Sequence, residues 1–128
     1  MKKGLLLITI LLAVVLFAGC EEIKNPTLTG IKTQENGDTE EIIYEWDYNE
    51  PTKVIKVTKI FTYKSSTNSM YNMKAIDCEG FKKQSSLFDC RVEKKNGNVV
   101  YKEFYYKDEI KTEEEAREDI LKEGYKIN

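Results

Sequence analysis

Histidine is absent from this 128-residue sequence, and arginine, proline and tryptophan are scarce, with two, two and one copies. Without an imidazole the chain cannot build a Ser-His-Asp triad or a Cys-His nucleophile pair, and it lacks the commonest ligand of zinc and copper. The sequence also contains no Gly-rich phosphate loop and no Asp-x-Asp-x-Asp-Gly calcium loop. We therefore predict no metal, no cofactor and no catalytic residue that the sequence alone can name.

A concentrated basic surface is missing as well. The chain has 20 basic and 22 acidic residues, so its net charge is −2. If residues 1–19 are removed, Lys2 and Lys3 leave with them, and the balance becomes 18 minus 22, or −4. This mild acidity argues against nucleic acid as a partner and against a polybasic membrane clamp.

The N-terminal segment is the strongest functional signal in the sequence. Two lysines at the start are followed by the apolar run Leu5–Phe17, which only Thr9 interrupts, and then by small residues. This order is typical of a secretory signal peptide. A spanning helix is the alternative, but Gly4–Gly19 is shorter than the ~20 apolar residues that a span needs.

The end of this segment, Phe17-Ala18-Gly19-Cys20, resembles the lipobox of bacterial lipoproteins. The resemblance implies that the chain is cut before Cys20 and that its thiol carries a diacylglyceryl group. Phe17 departs from the family pattern, which has an aliphatic residue at that position. Two acyl chains hold a protein stably at a bilayer. We therefore expect a signal peptide at 1–19, a lipidated cysteine and short tether at 20–28, and a domain at 29–128 on the extracytoplasmic face of a bacterial cell membrane.

Residues 29–63 are predicted to form three antiparallel strands. The dipeptide Asn36-Gly37 is typical of a two-residue hairpin turn, and a second turn is expected at residues 49–52. Closing the first turn pairs Ile31 with Ile42 and Lys32 with Glu41. Closing the second pairs Trp46 with Ile55, Tyr44 with Val57 and Glu45 with Lys56. Both registers place the same six apolar residues on one face, as the period of two requires: Ile31, Ile42, Tyr44, Trp46, Ile55 and Val57.

The second half of the chain predicts a short helix within 65–79, a hairpin over 87–106 and a helix after Thr112. The turn Asn96-Gly97 sets Val92 opposite Tyr101, Cys90 opposite Glu103 and Phe88 opposite Tyr105. Thr112 and Glu115 have the spacing of a capping box, Gly124 is the expected stop, and residues 125–127 are suited to a short edge strand. The expected buried stripe of this helix is Ala116, Ile120 and Leu121.

The predicted fold is therefore α+β, with an antiparallel sheet of about five strands in the order β-β-β-α-β-β-α and one or two helices packed on it. In length and element order the chain resembles the YehR-like small bacterial lipoproteins. That resemblance implies no site residues.

Cys78 and Cys90 are the cysteines that remain once Cys20 is lipidated. Outside the cytoplasm such a pair predicts a disulfide, which would close a loop of 13 residues (78 to 90 inclusive). A redox pair is the alternative, but thiol oxidoreductases favour the spacing Cys-x-x-Cys. Two unpaired buried thiols are the third interpretation.

Tyr63, Phe104 and Tyr106 are candidates for a binding patch, because the second hairpin carries aromatic residues on both faces. The alternative is that they pack in the core. We expect a non-enzymatic module that binds an envelope protein or a cell-wall component. The alternative function is a small hydrolase of envelope material that depends on two carboxylates, although nothing in the sequence selects two from 22.

Overall fold

The computed structural model describes residues 23–64 and 68–127. The predicted signal peptide at 1–19 and the predicted lipidation site Cys20 lie outside these ranges. The described residues form a six-stranded antiparallel sheet and two helices, which confirms the predicted α+β class and element order.

The strands are β1 (Thr27–Thr33), β2 (Thr39–Trp46), β3 (Lys53–Tyr63), β4 (Phe88–Lys95), β5 (Asn98–Ile110) and β6 (Lys126–Ile127). The helices are α1 (Asn68–Lys82) and α2 (Glu113–Lys122). The spatial order of the strands is β4-β5-β3-β2-β1-β6. The expected edge strand at the C-terminal end is thus present and pairs with β1.

The predicted register of the first hairpin is wrong by one residue. Gly30 lies opposite Ile42, and Ile31 lies opposite Glu41. Five residues, 34–38, separate the last pair of this hairpin, and of the Asn36-Gly37 dipeptide only Gly37 has a positive φ, 91°. Compared with the expected two-residue turn, a five-residue loop shifts the pairing of β1 with β2 by an odd number of residues. Side chains of β1 therefore lie on the opposite face from the one predicted. Ile31 therefore lies on the face opposite Ile42.

The register of the second turn is confirmed in part. Tyr44 pairs with Val57 and Glu45 with Lys56, as expected, but Trp46 pairs with Val54 instead of Ile55. A bulge between Glu45 and Trp46 causes this shift, because it adds a residue to one strand only. Val54 consequently takes the fully buried position.

The register of the second hairpin is confirmed throughout. Val92 lies opposite Tyr101, Cys90 opposite Glu103, and Phe88 opposite Tyr105. Asn96 and Gly97 both have positive φ, 53° and 79°. This is the backbone conformation that a two-residue hairpin turn requires.

Both helices lie on the same face of the sheet, over opposite edges. α1 packs on β4 and β5, and α2 packs on β1 and β6. Each helix covers its own buried cluster. The larger lies under α2: Leu28, Ile42, Trp46, Val54, Val57, Ala116, Ile120 and Tyr125. The smaller lies under α1: Cys78, Cys90 and Tyr101, with Phe61, Tyr63, Phe88 and Val92 packed against them.

The caps of α2 form as predicted. The Thr112 hydroxyl accepts a hydrogen bond from the Glu115 amide at 3.1 Å, and the Glu115 carboxylate accepts one from the Thr112 amide at 3.1 Å. Gly124 follows the helix with a φ of 93°. Ala116 and Ile120 are buried, but Leu121 is exposed, so the expected buried stripe is wrong at that residue.

The segment 20–28 contains less tether than predicted, because β1 begins at Thr27 and Leu28 is buried. The Asn25 side chain donates to Glu45 Oε2 at 2.9 Å, and the Pro26 carbonyl accepts from the Trp46 amide at 2.9 Å. Asn25 is thus the first described residue that these hydrogen bonds attach to the sheet.

Four segments meet where the chain enters the sheet. They are the start of β1 with residues 23–26, the turn at 47–52, the segment 83–87, and the end of β5 at 106–110, and we call this the entry end. The opposite end of the sheet, with the loop 34–38 and the turn 96–97, is the far end.

Candidate functional site

A groove of about 640 Å³ lies at the entry end, between the last turn of α1 and strand β5. The apolar and aromatic lining residues are Phe81, Leu87, Phe88, Tyr105 and Tyr106, and the polar ones are Gln84, Ser85, Glu103, Lys107, Asp108 and Glu109. A concave site that combines aromatic side chains with polar groups is suited to holding a ligand.

Three rings form one continuous aromatic wall of this groove. Phe81 meets Phe88 edge to face, with centroids 6.0 Å apart and planes at 80°. Phe88 meets Tyr105 in the same manner at 5.2 Å and 67°. These contacts connect α1, β4 and β5, because the three rings come from one element each. Edge-to-face pairs are favourable beyond the area that they bury, so the wall has a defined shape.

A disulfide joins two of the three elements that carry this wall. Cys78 of α1 is bonded to Cys90 of β4, with Cα atoms 5.8 Å apart, which confirms the pairing predicted from the sequence. Cys78 stands one helical turn before Phe81, and Cys90 stands on the same face as Phe88, two residues away. The covalent bond therefore fixes the distance between the rings on which a ligand would lie.

Glu103 lies on the floor of the groove and accepts two phenolic hydrogen bonds. The Tyr105 hydroxyl donates to Oε1 at 2.9 Å, and the Tyr101 hydroxyl donates to Oε2 at 3.1 Å. Burial raises the pKa of both phenols above the ordinary value for tyrosine, and the neighbouring Glu103 carboxylate raises it further. Both tyrosines thus stay protonated donors, and Glu103 is held as their shared acceptor.

The other two carboxylates of the groove pair with lysines. Asp108 lies 3.2 Å from the Lys53 ammonium, and Glu109 lies 3.8 Å from that of Lys111. The Asp108 hydrogen bond raises the pKa of Lys53, so this lysine stays charged. Glycoside hydrolysis needs one carboxylic acid that donates a proton and a second carboxylate opposite it. Both oxygens of Glu103 accept hydrogen bonds, whereas Asp108 and Glu109 lie in solvent-exposed ion pairs with lysines.

The structure does not bring the three candidate patch residues together. Tyr63 lies near the far end, where it packs against the cluster under α1 and the Lys74 ammonium stands 5.1 Å from its ring centroid. Phe104 lies on the sheet face that neither helix covers, half-buried between Lys56 and Arg91. Tyr106 is 44% exposed and lines the groove. Of the three, only Tyr106 belongs to the site.

Most residues of the groove cannot be identified from the sequence. The sequence does not single out Phe81, in the last turn of α1, or Leu87, at the entry end, although both are exposed. Residues 83–87 carry Gln84 and the Ser85 hydroxyl, which accepts from the Leu87 amide at 3.1 Å. The one available signal was the apolar Leu87-Phe88 pair directly after a polar segment, next to the aromatic run at 104–106.

Within residues 23–64 and 68–127 no group of three or more Cys, Asp or Glu side chains is arranged to hold a metal ion. No helix in these ranges is long and apolar enough to cross a membrane. Comparison with known protein families, with curated proteins and with solved structures found no match to this chain.

Proposed function

We propose that this protein is a membrane-anchored bacterial lipoprotein whose domain binds a component of the cell envelope, either an envelope protein or a cell-wall component, without catalysing a reaction. The observation that carries the proposal is the aromatic-walled groove at the entry end. Aromatic side chains are the common anchors of binding sites, because they bury a large area at a low entropy cost.

The state of the polar residues supports binding over catalysis. Glu103 holds two tyrosine hydroxyls, and the carboxylates of Asp108 and Glu109 face lysines. A general acid or base must be within hydrogen-bond reach of the substrate proton, and an oxygen that is already bonded must first lose its partner. The carboxylate-dependent hydrolase is therefore the weaker of the two functions.

The membrane anchor is proposed from the N-terminal sequence. We expect mass spectrometry of the mature protein to find a diacylglyceryl group on an N-terminal Cys20. Cys20→Ala should leave the precursor uncut or release the product from the membrane. A mature protein that begins at another residue and carries no lipid would contradict the anchor.

The binding proposal is tested with a photo-crosslinking amino acid at Leu87, on the rim of the groove, in the full-length protein in living cells. Leu121 is the matched control, because it is also an exposed leucine but lies in the last turn of α2, whose end stands beside Lys32 and Glu40 next to the far end. We expect a discrete adduct from Leu87 and none from Leu121. Tyr106→Ala should weaken the Leu87 adduct, since it removes an exposed side chain that lines the groove, whereas Phe104→Ala should not. Equal labelling from both positions would refute a ligand in the groove.

A further inference from the structure

Exposed apolar side chains are concentrated at the entry end. Among the described residues nine large hydrophobic side chains are exposed. Six of them belong to the entry end or to the last turn of α1 beside it: Ile23, Tyr48, Phe81, Leu87, Tyr106 and Ile110. Single exposed apolar residues are ordinary on a protein surface, but a concentration at one end indicates an interaction surface.

The chain also reaches the domain at this end. Ile23 is the first described residue, and in the sequence it follows the apolar run Leu5–Phe17 and Cys20. From Cys20 to Asn25, the first residue bonded to the sheet, the chain spans at most about 18 Å when fully extended. The geometry is similar whether Cys20 carries lipid or the apolar run itself stays in the bilayer, since either anchor ends a few residues before Ile23.

We propose that the entry end lies against the lipid bilayer, with Ile23, Tyr48 and Ile110 in the headgroup region. This inference rests on the proposed membrane anchor, and it adds the orientation of the domain. Tyrosine is suited to such a position, because its ring is apolar and its hydroxyl is polar. The anchor supplies the affinity, while the entry end determines which surface of the domain faces the lipid.

The charges at this end are compatible with a neutral lipid surface. Lys53 is shared by Asp108 and Glu50, and Lys111 is shared by Glu109 and Asp119. With Asp47 these are five carboxylates, and five lysines balance them, the other three being Lys24, Lys83 and Lys107. The contact therefore needs no anionic lipid, and the groove opens beside the membrane surface. A ligand in the groove would then be bound within reach of the headgroups.

The test uses the full-length anchored protein, reconstituted into phosphatidylcholine vesicles that contain brominated phosphatidylcholine, which quenches nearby tryptophan. The reporter is Ile110→Trp at the entry end, and the matched control is Leu121→Trp near the far end. These positions are 71% and 54% exposed, so both substitutions are tolerated by the fold. Trp46, which is 2% exposed, also fluoresces, and its contribution is determined with the wild-type protein. Tyr48→Trp is a second reporter at the entry end.

We expect the entry-end reporters to be quenched several-fold more strongly than the Leu121→Trp reporter. Equal quenching, or stronger quenching at Leu121→Trp, would overturn the orientation. If the entry-end reporters are protected from quenching and chemical crosslinking detects a dimer, this surface contacts a second copy of the chain. That result would also overturn the proposed orientation. Flotation of the vesicles separates the two proposals. Protein that floats without a difference between reporters refutes the orientation alone, whereas protein that does not float refutes the anchor and the orientation together.

Discussion

Gly30 offers the most direct test of how α2 packs on the sheet. It lies in β1 and faces the helix, and a Cβ atom there would lie 2.5 Å from Ile120 Cγ2 and 3.0 Å from Tyr125 Cβ. It would also lie 3.3 Å from Ile42 Cγ2. All three neighbours are buried, so none of them can turn towards solvent. Gly30→Ala should therefore force the helix away from the sheet.

The expected magnitude follows from two opposing effects. Overpacking a well-filled core costs about 1–3 kcal/mol. Replacing a strand glycine that has ordinary φ with alanine returns roughly 0.5–1 kcal/mol of backbone entropy. Because a 2.5 Å contact is far inside van der Waals distance, the cost belongs at the upper end of its range. Gly30→Ala should lower the free energy of unfolding by about 2 kcal/mol.

Gly80→Ala is the matched control. Gly80 lies in α1, and a Cβ atom built there meets no atom within 4 Å. Alanine is preferred over glycine inside a helix by about 0.5–1 kcal/mol, so this variant should be more stable than the wild-type protein. The same chemical change is thus expected to have opposite signs at the two positions.

Urea unfolding followed by the fluorescence of the buried Trp46 measures both effects. Ile120→Leu removes the Cγ2 methyl that collides first, so it should recover about 1 kcal/mol of the Gly30→Ala loss in a double-mutant cycle. If Gly30→Ala stabilises the protein as Gly80→Ala does, or if the cycle shows no coupling, the proposed packing of α2 on β1 is refuted.

Three further predictions concern the disulfide, alkaline pH and the uncovered face. Replacing Cys78 and Cys90 together with serine should lower the unfolding free energy by about 3 kcal/mol in a urea titration, and free thiols in the oxidised wild-type protein would contradict the bond. Burial raises the pKa of Tyr101 and Tyr105 in the fold, so above about pH 10 the unfolded chain loses protons that the folded protein keeps, and stability falls. Tyr105→Phe should flatten that decline in thermal melts, and an unchanged slope would contradict it. Phe104→Ala should cost about 2–3 kcal/mol, less than a full core truncation, because this ring is partly exposed, and an unchanged melting temperature would refute that role.

The two Asn-Gly turns show what local sequence can predict and where it fails. The turn Asn96-Gly97 has both residues at positive φ, and every pair predicted from it is present. At Asn36-Gly37 the neighbouring Asp38 shapes the loop, because its carboxylate accepts from the Lys64 amide at 2.9 Å and its amide donates to Asn36 Oδ1 at 3.0 Å. The first of these bonds comes from 26 residues away. The dipeptide alone therefore could not predict the register.

The groove depends on distant contacts to an even greater extent. Phe81 and Tyr105 are 24 residues apart in the sequence and reach one wall only because α1 packs across β4 and β5. Of the site, the sequence predicted the disulfide and Tyr106. It could not predict that Phe104 faces the uncovered side while Tyr106 lines the groove. Alternation alone places Phe104 and Tyr106 on the same face of β5, but Tyr106 lies just beyond the end of β4, which begins opposite Tyr105, and next to the irregular pairing with β3.

The position of β1 between β2 and β6 has a mechanical consequence. Tension that enters through the N-terminal segment acts along the axis of β1 from Thr27, while seven residues of this strand are paired with β2 and two with β6. Hydrogen bonds of an antiparallel pair lie perpendicular to the strands, so such a pull shears them simultaneously instead of opening them one after another. A partner held in the groove would pull on β4 and β5, across β3 and β2 from the loaded strand. A force between the membrane and the partner would therefore be transmitted from β1 to β5 through the hydrogen bonds of β2 and β3.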